Sequence, residues 1–391
     1  MPMSAWILPD QFADVLPAEA RQVEEMRRVL LDTARSYGYE LVLPPLMEYL
    51  ESLLSGTGKS LDLKTFKTVD QHSGRSLGVR ADMTPQVARI DAHLLNREGV
   101  VRLCYCGPVA RTRAAHAHAT REPMQLGAEL FGYSGLEADV EVLEMVRAAL
   151  GAVGIRALTV DLADARIIKA MLAWANISGA KADALRAALS VKDTTQVREL
   201  TRDQPAQTVA AFVALTQLFG SSEVLAQARA QLPALPDLTQ ALDDLQTLVA
   251  GLGDANVIMD LSDLRGQTYY TGIRFAIFAK EHEGGMPIEL ARGGRYDEIG
   301  AVFGRHRPAV GFSLDIKELV AAVPEQCPVP VIRAPWSDDA GLRQAVADLR
   351  GRGEVVIGVL PGHEHTLNEF ECDRELVLQD GTWLVRPLSN N

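Results

Sequence analysis

The chain has 391 residues, which predicts two or three domains because one hydrophobic core rarely extends over so long a chain. Its hydrophobic fraction of 47% and charged fraction of 23% are typical of soluble globular proteins, and a net charge of −12 argues against a generally basic, nucleic-acid-binding surface. The four cysteines, Cys104, Cys106, Cys327 and Cys372, show no C-x-x-C spacing. With neither a signal segment nor an apolar run of about 18 residues, the sequence predicts a cytoplasmic protein with reduced thiols.

The chain begins with a predicted helix and a predicted edge strand. Pro17 opens a run to about Tyr37 in which apolar residues recur at helical spacing, and Gly38 ends it. Residues Glu40 to Leu43 have strand character, but Pro44 and Pro45 follow at once. Because proline cannot donate a backbone hydrogen bond, we expect this strand at a sheet edge or an interface.

A hairpin and a second helix follow. Phe66–Val69 and Ser76–Arg80 are predicted strands joined by a turn at Ser73-Gly74. Thr84-Pro85 then opens a helix, with Asp82 or Thr84 as its capping residue. A capping role is therefore the simplest interpretation of the Asp82 carboxylate.

The stretch from Gly107 to Gly132 is predicted as a strand, a long arginine-containing loop and a second strand. Gln125 and Glu129 are four residues apart in the second strand, so both side chains face the same side. A carboxylate, an amide and nearby guanidinium groups suit a zwitterion such as an amino acid, or a phosphate. An arginine-rich surface hairpin explains the pattern equally well.

After a predicted helix at about Glu137–Leu150, residues 155–253 are rich in alanine and leucine and hold no residue types typical of a catalytic centre. We predict a helical insertion there. Asn256–Phe278 then forms two predicted strands around a loop, and Pro308–Leu319 a strand that enters a helix. Between them, Gly293-Gly294 indicates either close approach of the backbone to a ligand or a hairpin turn.

These motifs resemble the histidyl-tRNA synthetase family over about Asp10 to Val323. Leu264–Gly272, LRGQTYYTG, is similar to that family's first histidine-specific signature, and Ala291–Asp297, ARGGRYD, to the second. Arg111 and the Gln125–Gly132 strand match the second motif of class II synthetases. The resemblance implies an α+β fold with a class II synthetase-like antiparallel sheet flanked by helices, and a homodimer formed near Pro44-Pro45.

The same resemblance implies a histidine-binding set. Carboxylate side chains would bind the ammonium and imidazole N–H groups of histidine, and an arginine would bind its carboxylate. Tyrosine rings would pack against the imidazole ring. Asp82 stands where the family has glutamate. The predicted histidine-binding residues are Asp82, Arg111, Gln125, Glu129, Arg265, Tyr269, Tyr270 and Tyr296.

The nucleotide side departs from the synthetase pattern. Arg113 stands where the family places a glutamate for the adenine ring, and Glu318 where it places an arginine for the ATP phosphates. Of the arginines on that side, Arg111 and Arg121 remain. A carboxylate facing a triphosphate repels it, so the resemblance implies a pocket that binds histidine without activating it.

The segment after Val323 is shorter than a synthetase's anticodon-binding domain. It is predicted to hold a strand, a helix, a strand and a hairpin turned at Asp380-Gly381. His363 and His365 lack the spacing of a zinc helix, so no metal site is predicted. The predicted domain ranges are 1–154 and 254–323 for the synthetase-like core, 155–253 for the insertion and 324–391 for a small C-terminal α/β domain.

Leu77–Asp91, LGVRADMTPQVARID, is similar to the regulatory-subunit family of ATP phosphoribosyltransferase rather than to synthetases. This resemblance implies a subunit without catalytic residues, cofactor or tRNA that accompanies a short-form catalytic subunit in the first step of histidine biosynthesis. Histidine would be its feedback effector. The alternatives are an active histidyl-tRNA synthetase or another adenylate-forming enzyme, and both require ATP binding.

Overall fold

The computed structural model describes residues 7–55, 59–117, 119–253, 255–263, 269–280, 287–323, 330–362 and 372–388. The chain divides into two compact units, Met1–Val323 and Pro324–Asn391, whose border coincides with the predicted start of the C-terminal domain. Arg265, His363, His365 and Cys327 lie outside the described residues. Within the described part, no helix combines the length and apolar character that a membrane crossing would need.

The helices of the first unit carry the predicted amphipathic runs. Pro17 occupies the first turn of its helix, where a missing N–H costs nothing, and Gly38 follows the helix with φ of 83°. The helices are α1 (Pro17–Ser36), α2 (Leu50–Leu53), α3 (Lys59–Lys64), α4 (Thr84–Arg89), α5 (Leu136–Ala152), α6 (Ala165–Trp174), α7 (Gly179–Ser190), α8 (Thr194–Thr201), α9 (Ala206–Leu215), α10 (Val224–Gln231), α11 (Pro236–Gly251) and α12 (Ile316–Ala322), with a π-helical turn at Ile90–Leu95 and a 3₁₀ turn at Ile299–Phe303.

The strands of the first unit form two sheets in the described residues. They are β1 (Glu40–Leu41), β2 (Met47–Tyr49), β3 (Phe66–Val69), β4 (Ser76–Val79), β5 (Val101–Pro108), β6 (Met124–Phe131), β7 (Leu158–Asp164), β8 (Phe219–Gly220), β9 (Asn256–Asp260), β10 (Ile273–Lys280), β11 (Pro287–Arg295) and β12 (Ala309–Asp315). The large sheet has the order β1-β5-β6-β12-β11-β10-β7-β9-β8, and β2-β4-β3 is the small one. Every pairing from β5 to β7 is antiparallel. The predicted fold class is confirmed, and β1 is an edge strand as expected.

The two faces of the large sheet bury different cores. On one face, alternate residues such as Leu126, Ala128 and Leu130 pack in the main hydrophobic core, which also holds the buried residues of α1 and α5. On the other face, Leu103 and Tyr105 pack with Met83, at the start of α4, in a smaller cluster. The second face is the one that carries Gln125 and Glu129, because strand side chains alternate.

The predicted helical insertion is only partly helical. Helices α6 to α11 lie in residues 155–253 as expected, but β7 lies there too and forms a central strand of the large sheet between β10 and β9. The strand was missed although Leu158–Asp164, LTVDLAD, alternates apolar and polar residues, because the prediction relied on the alanine- and leucine-rich composition of the whole block rather than on this short alternation.

Gly293 and Gly294 lie inside β11, so the hairpin-turn interpretation is wrong. A Cβ on Gly293 would overlap the carbonyl oxygen of Gly311 on β12, and one on Gly294 would come 2.5 Å from the carbonyl oxygen of Ile273 on β10. Their small size is therefore required by the neighbouring strands of the same sheet.

The second unit matches the predicted order of elements. It holds β13 (Val331–Pro335), α13 (Ala340–Gly351), β14 (Val355–Val359), β15 (Cys372–Gln379) and β16 (Thr382–Pro387). The sheet order is β14-β13-β15-β16, with both neighbours of β13 parallel to it. Asp380 and Gly381, at φ of 49° and 79°, form the hairpin turn between β15 and β16, as predicted.

Candidate functional site

Glu129 lies in the interior of the second sheet face and is only 1% exposed. It pairs in register with Leu103 on β5 and with Gly311 on β12. A Cβ on Gly311 would overlap the Glu129 carboxylate, so a glycine is needed opposite it. The missing side chain of Gly311 therefore leaves the space that the Glu129 carboxylate occupies.

Three hydroxyl groups donate to the Glu129 carboxylate. Tyr105 and Thr84 donate to Oε1 at 2.9 and 3.0 Å, and Tyr296 donates to Oε2. The Tyr105 and Thr84 hydroxyls are also 2.8 Å apart. We call Thr84, Tyr105, Glu129 and Tyr296 the Glu129 cluster. Burial raises the pKa of Glu129 to about 8, and the three hydroxyls only partly offset this effect by stabilising the ionised form.

Tyr105 and Thr84 were not among the predicted site residues. Tyr105 pairs with Gly127, which lies between Gln125 and Glu129 on the same face of β6. A Cβ on Gly127 would overlap the Tyr105 hydroxyl, so this glycine lets the phenol reach across to Glu129. A glycine inside a predicted strand, midway between two predicted site residues, was the available signal.

The predicted tyrosines form an aromatic wall beside the Glu129 cluster. The rings of Tyr269 and Tyr296 are stacked, with centroids 4.9 Å apart and planes 20° apart. Tyr270 meets Tyr269 edge to face at 5.3 Å. Such arrangements fix the orientation of the rings. Tyr296 is only 2% exposed, so the half-buried Tyr269 and Tyr270 are the accessible members of this wall.

Asp82 and Gln125 hold the start of α4. Asp82 Oδ1 accepts the backbone N–H of Thr84 and an N–H of the Gln125 amide, both at 3.0 Å. The Gln125 Oε1 atom accepts the backbone N–H of Met83 at 2.9 Å. The N-cap position of α4 is Met83, which makes no side-chain capping bond, so neither Asp82 nor Thr84 is the N-cap residue. Asp82 instead accepts the N–H of Thr84, the first helical residue, and Thr84 turns its hydroxyl to Glu129.

Positive charge gathers next to Asp82. The Arg111 Nε donates to the carbonyl oxygen of Ala81 at 3.2 Å. The backbone N–H of the next residue, Thr112, donates to the carbonyl oxygen of Lys64 at 2.9 Å, which brings Lys64 beside Arg111. Burial lowers the pKa of Lys64, and the charges of Arg111 and Arg292 lower it further. Lys64 and Arg292 were not predicted as site residues. The structure thus brings together seven of the eight predicted residues, with Arg265 outside the described range.

The residues that the resemblance places on the nucleotide side contact other protein groups. Glu318, in the first turn of α12, lies 3.2 Å from the His116 ring nitrogen of the long loop. Arg121 lies over the rings of Phe12 and Phe66, at 4.9 and 5.1 Å, and donates to the carbonyl oxygen of Arg111 at 3.0 Å. Arg121 is therefore engaged in holding the loop rather than free for a phosphate.

Comparison with known proteins agrees with this architecture. The histidyl-tRNA synthetase family profile matches residues 11–319. Curated proteins named ATP phosphoribosyltransferase regulatory subunit match along almost the whole chain. The one from Verminephrobacter eiseniae is 57% identical over 98% of this chain and all of its own length, and the one from Variovorax paradoxus is 57% identical over 99% of this chain and all of its own length.

The chain belongs to the ATP phosphoribosyltransferase regulatory subunit family. The profile of the family's C-terminal domain, ATP phosphoribosyltransferase subunit HisZ C-terminal domain, matches residues 329–386. A solved structure described as an ATP phosphoribosyltransferase regulatory subunit/histidyl-tRNA synthetase from Bacillus halodurans is 26% identical, with a TM-score of 0.81 over 94% of this chain and 97% of that one. The histidyl-tRNA synthetase of Nostoc sp. shares the fold, at 18% identity and a TM-score of 0.78, covering 98% of this chain and 97% of its own.

The predicted membership of the regulatory-subunit family is therefore confirmed, and the comparisons do not favour the alternative of a synthetase. The assignment of Asp82, Gln125, Glu129 and the tyrosines to histidine stays a prediction.

Proposed function

We propose that the chain is a regulatory subunit of ATP phosphoribosyltransferase that binds histidine at the Glu129 cluster and has no catalytic activity of its own. The observation that carries the proposal is the buried Glu129 carboxylate, whose side-chain partners within the described residues are three hydroxyls. A buried carboxylate without a cationic partner is costly, and a ligand's ammonium or imidazole N–H would complete it.

The surroundings supply the remaining features of an amino-acid site. Lys64, Arg111 and Arg292 place positive charge near Asp82, where the carboxylate of histidine would be neutralised. The half-buried Tyr269 and Tyr270 rings would provide an aromatic wall for the imidazole, with Tyr296 stacked behind Tyr269. Arg265 is retained from the sequence prediction as a further carboxylate partner.

The same geometry supports a pocket that does not activate its ligand. Glu318 places a carboxylate at the first turn of α12, and Arg121 packs on the adjacent rings of Phe12 and Phe66. Adenylate formation needs cations positioned on the ATP phosphates, and here a carboxylate replaces one of them. We therefore infer that neither ATP nor tRNA is a ligand.

We also propose the assembly that the family name implies, in which homodimers of this chain join a short-form catalytic subunit in the cytoplasm. Exposed apolar side chains near the sheet edge support the homodimer, since Leu41, Leu43, Leu46 and Met47 are each at least 40% exposed beside Pro44-Pro45. Histidine can inhibit the complex only by binding its inactive arrangement more tightly, a coupling of about 1–3 kcal/mol.

Calorimetric titration of the purified chain tests the ligand directly. We expect saturable binding of histidine and no binding of ATP with magnesium, because only the amino-acid side of the pocket offers complementary groups. Histidinol, which lacks the carboxylate, is the matched control ligand and should bind more weakly. Binding of ATP followed by pyrophosphate release would instead identify an adenylating enzyme. Reconstitution with the short catalytic subunit, assayed with and without histidine, then tests regulation.

Histidine affinity should also depend on pH through Glu129. Because burial raises the pKa of Glu129 to about 8, the ligand-free protein holds this carboxyl protonated below that pH. A cationic ligand favours the ionised form, so binding releases a proton, and affinity should rise by up to about tenfold per pH unit and level off near pH 8. Titrations of the wild type and Glu129→Gln over the same pH range separate this effect from the titration of histidine itself. Equal slopes in both proteins would contradict it.

A further inference from the structure

A short segment ahead of α1 lies against the long loop between β5 and β6. The Gln11 carbonyl oxygen accepts the backbone N–H of Arg121 at 2.9 Å and the Thr120 hydroxyl at 3.3 Å. The Asp10 carbonyl oxygen accepts an N–H of the Arg121 guanidinium at 3.3 Å. We call residues 10–12 the strap, because their backbone binds the end of the loop that returns to β6.

Gln11 holds a backbone conformation that is costly for any residue other than glycine. Its φ is 62°, in the left-handed region, where the Cβ comes close to the following carbonyl oxygen. The side chain is exposed, so burial in a core does not explain the conformation. Hydrogen bonds to the loop explain it, because the Gln11 amide also donates to the carbonyl oxygen of Ala117 at 3.2 Å. The strain is therefore retained by contacts between the strap and the loop.

Phe12 connects the strap and the loop to β3. Its ring centre lies 6.3 Å from that of Phe66, the first residue of β3. The Arg121 guanidinium carbon lies 4.9 Å from the centre of the Phe12 ring and 5.1 Å from that of Phe66. Attraction between a cation and an aromatic ring is stronger where the cation is partly desolvated, and Arg121 is half-buried. The strap, the loop and β3 therefore pack together at Arg121.

Arg121 in turn fixes the backbone of Arg111. The backbone N–H of Arg111 donates to the Arg121 carbonyl oxygen at 2.8 Å, and the Arg121 Nε donates to the Arg111 carbonyl oxygen at 3.0 Å. Arg111 also forms an isolated β-bridge with Thr65, directly before β3. The Arg111 Nε then donates to the carbonyl oxygen of Ala81, beside Asp82. The contacts of the strap thus extend to an arginine that is predicted to face the ligand's carboxylate.

We propose that Phe12 and Arg121 are positioning residues for the carboxylate end of the ligand site, where they hold Arg111 beside Asp82. The proposal rests on the proposed binding of histidine and adds the means by which Arg111 is placed. An arginine whose backbone is already fixed loses less conformational freedom when it binds a carboxylate. Because Phe12 and Arg121 act through Arg111, they affect recognition of the carboxylate and leave recognition of the imidazole and ammonium groups unchanged.

The test is calorimetric titration of the full chain and its Phe12→Ala variant with histidine and with histidinol, which lacks the carboxylate. We expect Phe12→Ala to weaken histidine binding by about tenfold, the lower end of the range for losing hydrogen bonds to a charged group, and to leave histidinol binding unchanged. Phe12→Tyr keeps the ring and should bind both ligands as the wild type does. Phe219→Ala is the matched control and should change neither affinity, because Phe219 also lies under a cation, Lys192 at 4.5 Å, but on the edge strand β8 at the far end of the large sheet.

Hydrogen exchange of the ligand-free proteins tests the strap without any ligand. The backbone N–H groups of Arg111 and Arg121 are both hydrogen-bonded, and both should exchange faster in Phe12→Ala but at the wild-type rate in Phe219→Ala. Unchanged exchange or unchanged histidine affinity in Phe12→Ala overturns the proposal, and so does equal weakening of histidine and histidinol, which would show that Phe12 only supports the fold. A wild-type protein that binds no histidine overturns the proposed function itself, so the two failures are distinguished by the wild-type titration.

Discussion

Replacing Glu129 by glutamine is expected to weaken histidine binding by roughly 10- to 150-fold, the range for losing hydrogen bonds to a charged group. The amide has nearly the same size but cannot carry the negative charge that would face the ligand's ammonium or imidazole. Calorimetric titration of both proteins at one pH measures the change. Because the pKa of Glu129 is raised to about 8, the ligand-free pocket already holds a neutral carboxyl at pH 7, so the substitution exchanges one neutral group for another.

The fold should therefore survive the Glu129→Gln change, which makes the binding result interpretable. Glu144→Gln on the exposed side of α5 is the same substitution at a site away from the cluster, and it should leave both affinity and the thermal unfolding temperature unchanged. Tyr296→Phe removes one of the three hydroxyls and should weaken binding less than Glu129→Gln does. If Glu129→Gln binds histidine as the wild type does, the ligand lies elsewhere on the protein, whatever the geometry of the cluster.

Much of this fold could be predicted from local patterns. The α1 helix follows from Pro17 and its apolar periodicity, and the β15–β16 hairpin from Asp380-Gly381, because these signals act within a few residues. Strand β7 also has a local signal, the alternation in LTVDLAD, but this signal is short and lies in an alanine- and leucine-rich block. It is a strand because β10 and β9 pair with it on both sides, and those partners are about a hundred residues further along the chain.

The candidate site shows the same division. Glu129 and Gln125 could be placed on one face from their even spacing alone. The two hydroxyls of Tyr105 and Thr84 could not be assigned, since they reach Glu129 only after β5 pairs with β6 and α4 packs on the sheet. Gly127, which makes room for the Tyr105 hydroxyl, is visible in the sequence. Its role can be interpreted only once Tyr105 is known to be its partner on the neighbouring strand.

Replacing Arg295 by alanine is expected to lower the free energy of unfolding by about 3–5 kcal/mol, the cost of removing one partner of a buried ion pair. Arg295 pairs with Asp139 on α5 and donates to the carbonyl oxygens of Tyr133 and Gly135 at 3.1 and 3.0 Å. Its loss leaves Asp139, which is only 3% exposed, as a buried carboxylate without its cation. Urea unfolding of the wild type and the variant at neutral pH measures the difference.

The pH dependence of the loss separates this mechanism from simple loss of packing. Burial already raises the pKa of Asp139 to about 6 against the opposing effect of Arg295, so the pKa should rise further in Arg295→Ala. A carboxyl with a raised folded-state pKa contributes stability at low pH that is lost as pH rises through that pKa. Arg295→Ala should therefore regain stability relative to the wild type as the pH falls from about 7 towards 5. The double variant Arg295→Ala with Asp139→Asn cannot do so, because it has no carboxyl to protonate at that position. A deficit independent of pH in both variants would show that the guanidinium stabilises the fold by packing and by its carbonyl partners rather than by charge.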